Sequence, residues 1–122
     1  VRGLITARRV TACHDLSDGG LAVALAEMAM AGGVGGTIDA LPAGPAHAVL
    51  FGEDQARYLV TVPEASAAAV LAELQATGIP ALALGKTGGD ALALPGEAAV
   101  AVAALKSAHE PWLPAYMAGK AA

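Results

Sequence analysis

Between positions 14 and 29 the chain runs from a polar turn, His14-Asp15-Leu16-Ser17-Asp18-Gly19-Gly20, straight into Leu21-Ala22-Val23-Ala24-Leu25-Ala26-Glu27-Met28-Ala29. In the second part Leu21, Leu25 and Met28 share one helical face, while Ala22, Ala26 and Ala29 beside it permit close packing. Gly32 and Gly33 then close the helix, because glycine enters the left-handed conformation of a last turn without a Cβ penalty. Ahead of the turn, Val10 to Cys13 reads as a short strand, β-branched at Val10 and Thr11. A strand delivered by a tight acidic turn into a one-sided helix calls for a sheet under that helix, so the segment points to an α/β fold and away from an all-helical one.

The rest of the chain supplies the other elements. Val1 to Ala7 reads as the end of a helix with Arg8 and Arg9 in its final turn, where cations suit the dipole. Thr37 to Leu41 is a second strand stopped by Pro42, and Pro45 opens a short helix through Phe51. Arg57 to Val62 alternates and is rich in β-formers, which predicts a central strand. Pro63, the stripe Val70, Leu71 and Leu74, and Gly78 delimit a helix over Glu64 to Thr77. Ala81 to Lys86 and Asp90 to Leu94, separated by Gly88 and Gly89, predict a hairpin, with a further extended piece at Ala98 to Val102. Leu105 to Met117 has helical spacing broken by Pro111 and Pro114. The expectation is one domain over residues 1–122: an α/β (α+β) fold with a mixed sheet of about four strands covered by helices.

With 56% hydrophobic and 15% charged residues the chain carries a folded core, but aromatics are 3%, so Leu, Val, Ile and Ala must build it. Apolar surface left over would then mark a partner. No apolar run reaches the roughly 18–20 residues of a membrane span. A net charge of −4, with Arg8 and Arg9 the only adjacent cations, argues against nucleic acid. The single Cys13 allows no internal disulfide, fits a reducing cytoplasm, and reads as a small buried apolar residue. Trp112, Tyr116 and Met117 are expected to dock the tail on the core or on an interface. Because the chain opens on Val1 without a leader, it is expected to be a piece of something longer, clipped at its start.

Two segments carry the candidate chemistry. In the turn, Ser17 or Asp18 caps the helix in the simpler reading, and Gly19 and Gly20 allow tight packing. In the other reading Gly19 and Gly20 bring backbone amides to an anion at the helix start. Asp15 and Asp18 oppose a bare phosphate there unless a cation such as Mg²⁺ intervenes. Glu53, Gln55 and Arg57 form the second segment, an acceptor, an amide and a fixed cation at alternating positions, on one side if the strand already starts at Glu53. They suit a polar ligand or an adjoining domain, or else a solvated strand entry. His14 has no evident partner for acid–base work. His47, His109 and Cys13 lack metal-ligand spacing, so neither a catalytic nor a metal-binding residue is assigned.

Read together, the run His14 to Ala29 and the later Leu50-Phe51-Gly52-Glu53-Asp54-Gln55-Ala56-Arg57-Tyr58-Leu59-Val60 resemble two ordered elements of the carboxy-terminal, AIR-synthase-related domain in the large subunit of phosphoribosylformylglycinamidine synthases. The second is similar to the family's Phe-Ser-Glu-Ser-Gln-x-Arg-x-x-Val, with Gly52 and Asp54 in place of its serines. With the Gly85-Lys86-Thr87 strand and the terminal helix, the resemblance spans nearly the whole chain.

The resemblance implies an ATP- and Mg²⁺-dependent ligase of purine biosynthesis that converts formylglycinamide ribonucleotide to the amidine with ammonia from a glutaminase domain or subunit. It implies a chain inactive alone, holding no tightly bound cofactor, and partnered by the remaining large-subunit domains in the cytoplasm. The ligand-binding candidates carried over, by pseudo-symmetry with the enzyme's first half, are Asp15, Ser17, Asp18, Gly19, Gly20, Glu53, Gln55 and Arg57. Two alternatives stay open: a non-catalytic scaffold module, and the related hydrogenase-maturation family, whose loop carries Thr-Arg where this chain has Ser17-Asp18.

Overall fold

A computed structural model describes residues 1–120 of the chain. Within them the elements run α1 (Arg2–Thr6), β1 (Ala12–Asp15), α2 (Gly20–Gly32), β2 (Gly36–Ile38), α3 (Ala46–Phe51), β3 (Tyr58–Thr61), α4 (Glu64–Ala76), β4 (Gly85–Thr87), β5 (Ala91–Ala93), β6 (Val100–Ala101), α5 (Val102–His109) and α6 (Trp112–Met117). The expected α/β architecture with a four-stranded mixed sheet is what forms, in the order β4-β2-β5-β6, and β1 and β3 make a separate antiparallel pair.

The core forms where α2 lies over the sheet. Leu21, Ala24, Leu25 and Ala29 are its buried stripe, at the i, i+3, i+4 spacing of an amphipathic helix. Leu16, Ile38 and Leu92 complete the cluster, with Leu41, Leu59, Leu84 and Leu94 packed around it. Leu21 is 2% exposed and is the largest side chain so enclosed. Aliphatic branching and alanine replace the missing aromatics: Phe51, Tyr58, Trp112 and Tyr116 are all exposed.

Several sequence expectations are corrected. The strand Arg57 to Val62 does not lie centrally; its ordered part, β3, pairs only with β1, in the register Ala12↔Thr61 through Asp15↔Tyr58. The hairpin over 81–94 does not close, because β2 sits between its arms, antiparallel to β4 and parallel to β5. The reason is the glycine turn: Gly88 N donates to Gly35 O and Gly35 N to Gly89 O, both at 2.9 Å, so the turn bonds to the start of β2 and straddles it. Arg8 and Arg9 lie outside the last turn of α1; Arg8 is at positive φ, and Arg9 reaches across to Glu73 instead. Cys13 is exposed, on a ribbon of only two strands, and not buried as the sequence suggests. Trp112 and Tyr116 stack on each other at 5.3 Å between ring centroids and do not dock on the core.

Candidate functional site

The β1–β3 ribbon delivers both candidate segments to the same end of the molecule. Because Asp15 pairs with Tyr58, the chain leaving β1 and the chain entering β3 emerge side by side. Leu16 N continues the ladder one step, donating to Arg57 O at 3.0 Å. Beyond that rung the two strands diverge and enclose an open cleft of about 510 Å³, lined by residues 15–18 and 53–58.

The ordered strand begins at Tyr58, so the one-sided alternation of Glu53, Gln55 and Arg57 does not arise from a strand. A turn through Gln55 and Ala56 replaces it, with Ala56 at φ 61, a left-handed conformation unusual for a residue with a Cβ. The segment nonetheless lines the cleft opposite Asp15, Ser17 and Asp18. Arg57 forms an ion pair with Asp54, Nη1 to Oδ2 at 3.2 Å, in an exposed i, i+3 geometry that contributes about 0–1 kcal/mol.

At the start of α2 the cap differs from the sequence expectation. Neither Ser17 nor Asp18 makes a side-chain cap bond; the N-cap is Gly19, at φ 73. Its backbone N donates to Glu53 Oε1 at 2.9 Å, from 34 positions away in sequence. Gly20 follows at φ 67, and a Cβ there would lie 2.8 Å from Gly52 O and from Phe51 C. Glycine is thus required twice over, by conformation and by the close approach of α3's end to α2's start.

His14 faces two oxygens: its Nδ1 lies 2.5 Å from Asp15 O, and its Nε2 lies 3.0 Å from Glu27 Oε2 on α2. Sequence reasoning gives His14 no partner, because Glu27 lies 13 residues away on another element, a separation that helix or strand periodicity does not encode. Tyr58, absent from the sequence candidates, lines the cleft and is half-exposed. Its place in a β-rich run is the available signal, and that signal points to sheet packing instead.

Chemically the cleft is acidic. Asp15, Asp18, Glu53 and Asp54 face a single guanidinium, that of Arg57, and the Gly19 amide is already taken by Glu53. A free anion is therefore poorly served here. Among the described residues no group of three or more His, Cys, Asp or Glu is placed to hold one metal ion. None of their helices is long and apolar enough to cross a membrane.

Comparison with known proteins bears on this geometry. The chain is 60% identical over 122 residues to the phosphoribosylformylglycinamidine synthase subunit PurL of Bradyrhizobium sp. (strain BTAi1), covering 99% of this chain and 17% of that protein. It is 58% identical over 121 residues to the subunit of the same name from Parvibaculum lavamentivorans, covering 99% of this chain and 16% of that one. The chain thus spans about a sixth of the length of these curated relatives. Among solved structures, T. maritima PurL complexed with ATP shares the fold at TM-score 0.69 and 17% identity, over 84% of this chain and 20% of that one. The protein tt0281 of Thermus thermophilus matches at TM-score 0.63 and 31% identity, over 72% of this chain and 33% of that one. The family model for the AIR synthase related protein, C-terminal domain, matches residues 1–97, which hold the ribbon, the acidic turn, the Glu53–Arg57 segment and five of the six strands. The chain belongs to the family of AIR synthase related protein C-terminal domains.

Proposed function

We propose that this chain is the carboxy-terminal domain of a phosphoribosylformylglycinamidine synthase large subunit, and that it contributes structure and one cleft to an enzyme whose chemistry is completed by other domains. The observation that carries the reading is an identity near 60% along essentially the whole chain with subunits of that name, including both segments that meet at the cleft. The parent reaction is the ATP-dependent conversion of formylglycinamide ribonucleotide to the amidine. Ammonia from a glutaminase domain or subunit supplies the nitrogen.

The residues of this chain do not suit resident ATP or Mg²⁺. A triphosphate needs several amide or cationic donors converging on it, and Mg²⁺ needs carboxylates directed at one point. Arg57 is the only cationic side chain that lines the cleft, Gly19 N is bonded to Glu53, and no three acidic or imidazole groups converge among the described residues. This favours a reading in which nucleotide and metal are held chiefly by other domains of the enzyme. Within this chain Asp15, Ser17, Asp18, Glu53, Gln55 and Arg57 line the candidate cleft, and Gly19 and Gly20 shape the turn beside it. The exposed Phe51, Tyr58, Trp112 and Met117 supply apolar surface for neighbouring domains.

The test is made on the complete protein that contains this sequence. Given formylglycinamide ribonucleotide, ATP, Mg²⁺ and ammonia, it should form the amidine with release of ADP and phosphate, whereas these 122 residues alone should turn over no ATP. A complete protein that makes no amidine overturns the assignment. ATP hydrolysis by the isolated chain overturns the placement of the chemistry in other domains.

A further inference from the structure

We infer that Glu53 is a positioning residue, an internal clasp between the acidic turn and the 52–57 loop, and that its carboxylate does not serve the cleft as a ligand group. This goes beyond the proposed function and holds for the folded chain whatever reaction the parent performs.

Four observations converge. The helix α2 lacks any side-chain cap from its own sequence neighbourhood, although Ser17 and Asp18 are at hand. Glu53 Oε1 instead accepts the Gly19 N–H at 2.9 Å. The backbones on either side are pressed together where a Cβ on Gly20 would collide with Gly52 O and Phe51 C, so Glu53 sits beside a contact that admits no slack. At the far side of the cleft Leu16 N donates to Arg57 O at 3.0 Å.

The 53–57 segment is therefore held at both ends, by the Glu53 side chain and by the Arg57 carbonyl. Between the two ties lies Ala56 at φ 61, a conformation an alanine keeps only when its surroundings impose it. Releasing the Glu53 tie leaves residues 53–56 held only by the Gly52 contact and the Arg57 carbonyl, which loosens the constraint that keeps Ala56 at positive φ. Asp15, Ser17, Asp18, Gln55 and Arg57 are then the candidate groups left to face a bound molecule. The carboxylate also takes the Gly19 N–H, one of the donors that an anion at the turn would seek.

The experiment is amide hydrogen exchange by NMR on this chain, without added ligand, in E53A, E53Q, E53D and R57A variants. Loss of a bond to a carboxylate should raise the Gly19 exchange rate about tenfold in E53A, with less than about twofold change at Leu25 and Ala29 in the middle of α2. The Ala56 HN–Hα coupling should move toward the value of a negative φ. The amide oxygen of E53Q still accepts the Gly19 N–H, so that variant should stay within about twofold of the parent; R57A should leave Gly19 protected. Equal acceleration of every amide in E53A, no acceleration at Gly19, or an E53Q as damaging as E53A overturns the inference. If E53A does not fold, E53D decides, because its carboxylate falls one methylene short of Gly19 N. Acceleration confined to Gly19 then supports the clasp, and an unchanged Gly19 overturns it.

Discussion

Replacing Gly20 by alanine tests whether the contact of α2 with the end of α3 is as tight as the geometry states, and Gly78→Ala provides its control. Both glycines hold a left-handed backbone, φ 67 and φ 74, so both substitutions incur the same conformational penalty of about 1–2 kcal/mol. Both also gain about 0.4–1 kcal/mol from the stiffer unfolded chain. They differ in surroundings. A Cβ at Gly78 meets nothing within 4 Å, whereas at Gly20 it would lie 2.8 Å from two backbone atoms and 3.0 Å from Leu50 O. Backbone cannot rotate out of the way as a side chain can, so α2 and α3 must part. That movement threatens the Gly19–Glu53 bond and opens the packing beside Leu21, adding overpacking of about 1–3 kcal/mol. The expected losses are about 1 kcal/mol for Gly78→Ala and about 3 kcal/mol for Gly20→Ala, or roughly 4 °C and 12 °C in Tm at this chain length. Urea titration followed by far-UV circular dichroism measures both; tryptophan fluorescence is a poor probe because Trp112 is already 61% exposed. A Gly20→Ala variant no less stable than Gly78→Ala would refute the close-approach argument and with it the packing of the two segments around the cleft.

Further outcomes follow from burial and charge. Leu21→Ala should cost about 2–5 kcal/mol in the same titration, whereas Met117→Ala, at a site 76% exposed, should stay within about 0.5 kcal/mol. Cys13 should react with an aromatic disulfide reagent in the native protein nearly as fast as in denaturant, and a protected thiol would contradict its exposure on the ribbon. The hydrogen bond and charge of Lys86 hold the Glu64 carboxyl below its ordinary value, and Glu64 in turn raises Lys86. A lowered carboxyl stabilises above its unfolded pKa and loses that contribution as pH falls through the folded one; a raised amine loses its contribution as pH rises through the folded value. The Tm difference between the parent and Lys86→Ala should therefore hold between about pH 5 and about pH 10, vanish toward both extremes, and shrink in salt because both groups are fully exposed. A Lys86→Ala difference that persisted at about pH 2 would show that packing, and not the ion pair, was lost.

What was legible in the sequence followed local chemistry. The amphipathic stripe from Leu21 onward, the proline ahead of Glu64, Gly33 at the close of α2 and the interruption before Trp112 are each written within a few residues, and each element appears there. Partnership between distant segments was less legible. The Gly88-Gly89 turn carried the local mark of a hairpin, yet its bonds go to Gly35, far earlier in the chain, so β2 separates the arms. Tyr58 to Thr61 has the composition of a buried strand, but it pairs only with β1, and Tyr58 stays at the surface. The turn at Ser17-Asp18 offered two good capping side chains, yet neither caps α2, and the N–H of its N-cap Gly19 donates to the distant Glu53.

The same distinction runs through the candidate cleft, whose two segments are legible in the sequence while the bonds between them are not. Type and order of residues placed the acidic turn and the Glu53–Arg57 segment together, and the ribbon register Asp15↔Tyr58 makes that meeting unavoidable once β1 and β3 pair. Which of the candidates are already engaged inside the fold depends on single distances. Gly19 and Gly20 hold backbone shape, Glu53 binds Gly19, and Arg57 is shared with Asp54. Among the described residues that leaves the Ser17, Asp18 and Gln55 side chains without a protein partner in the cleft, beside an Arg57 held only by an exposed ion pair that a ligand could displace at a cost of about 1 kcal/mol or less. A molecule entering from a neighbouring domain would thus meet a neutral hydroxyl, a neutral amide and one recruitable cation, with Asp15 and Asp18 repelling any part of it that carries uncompensated negative charge.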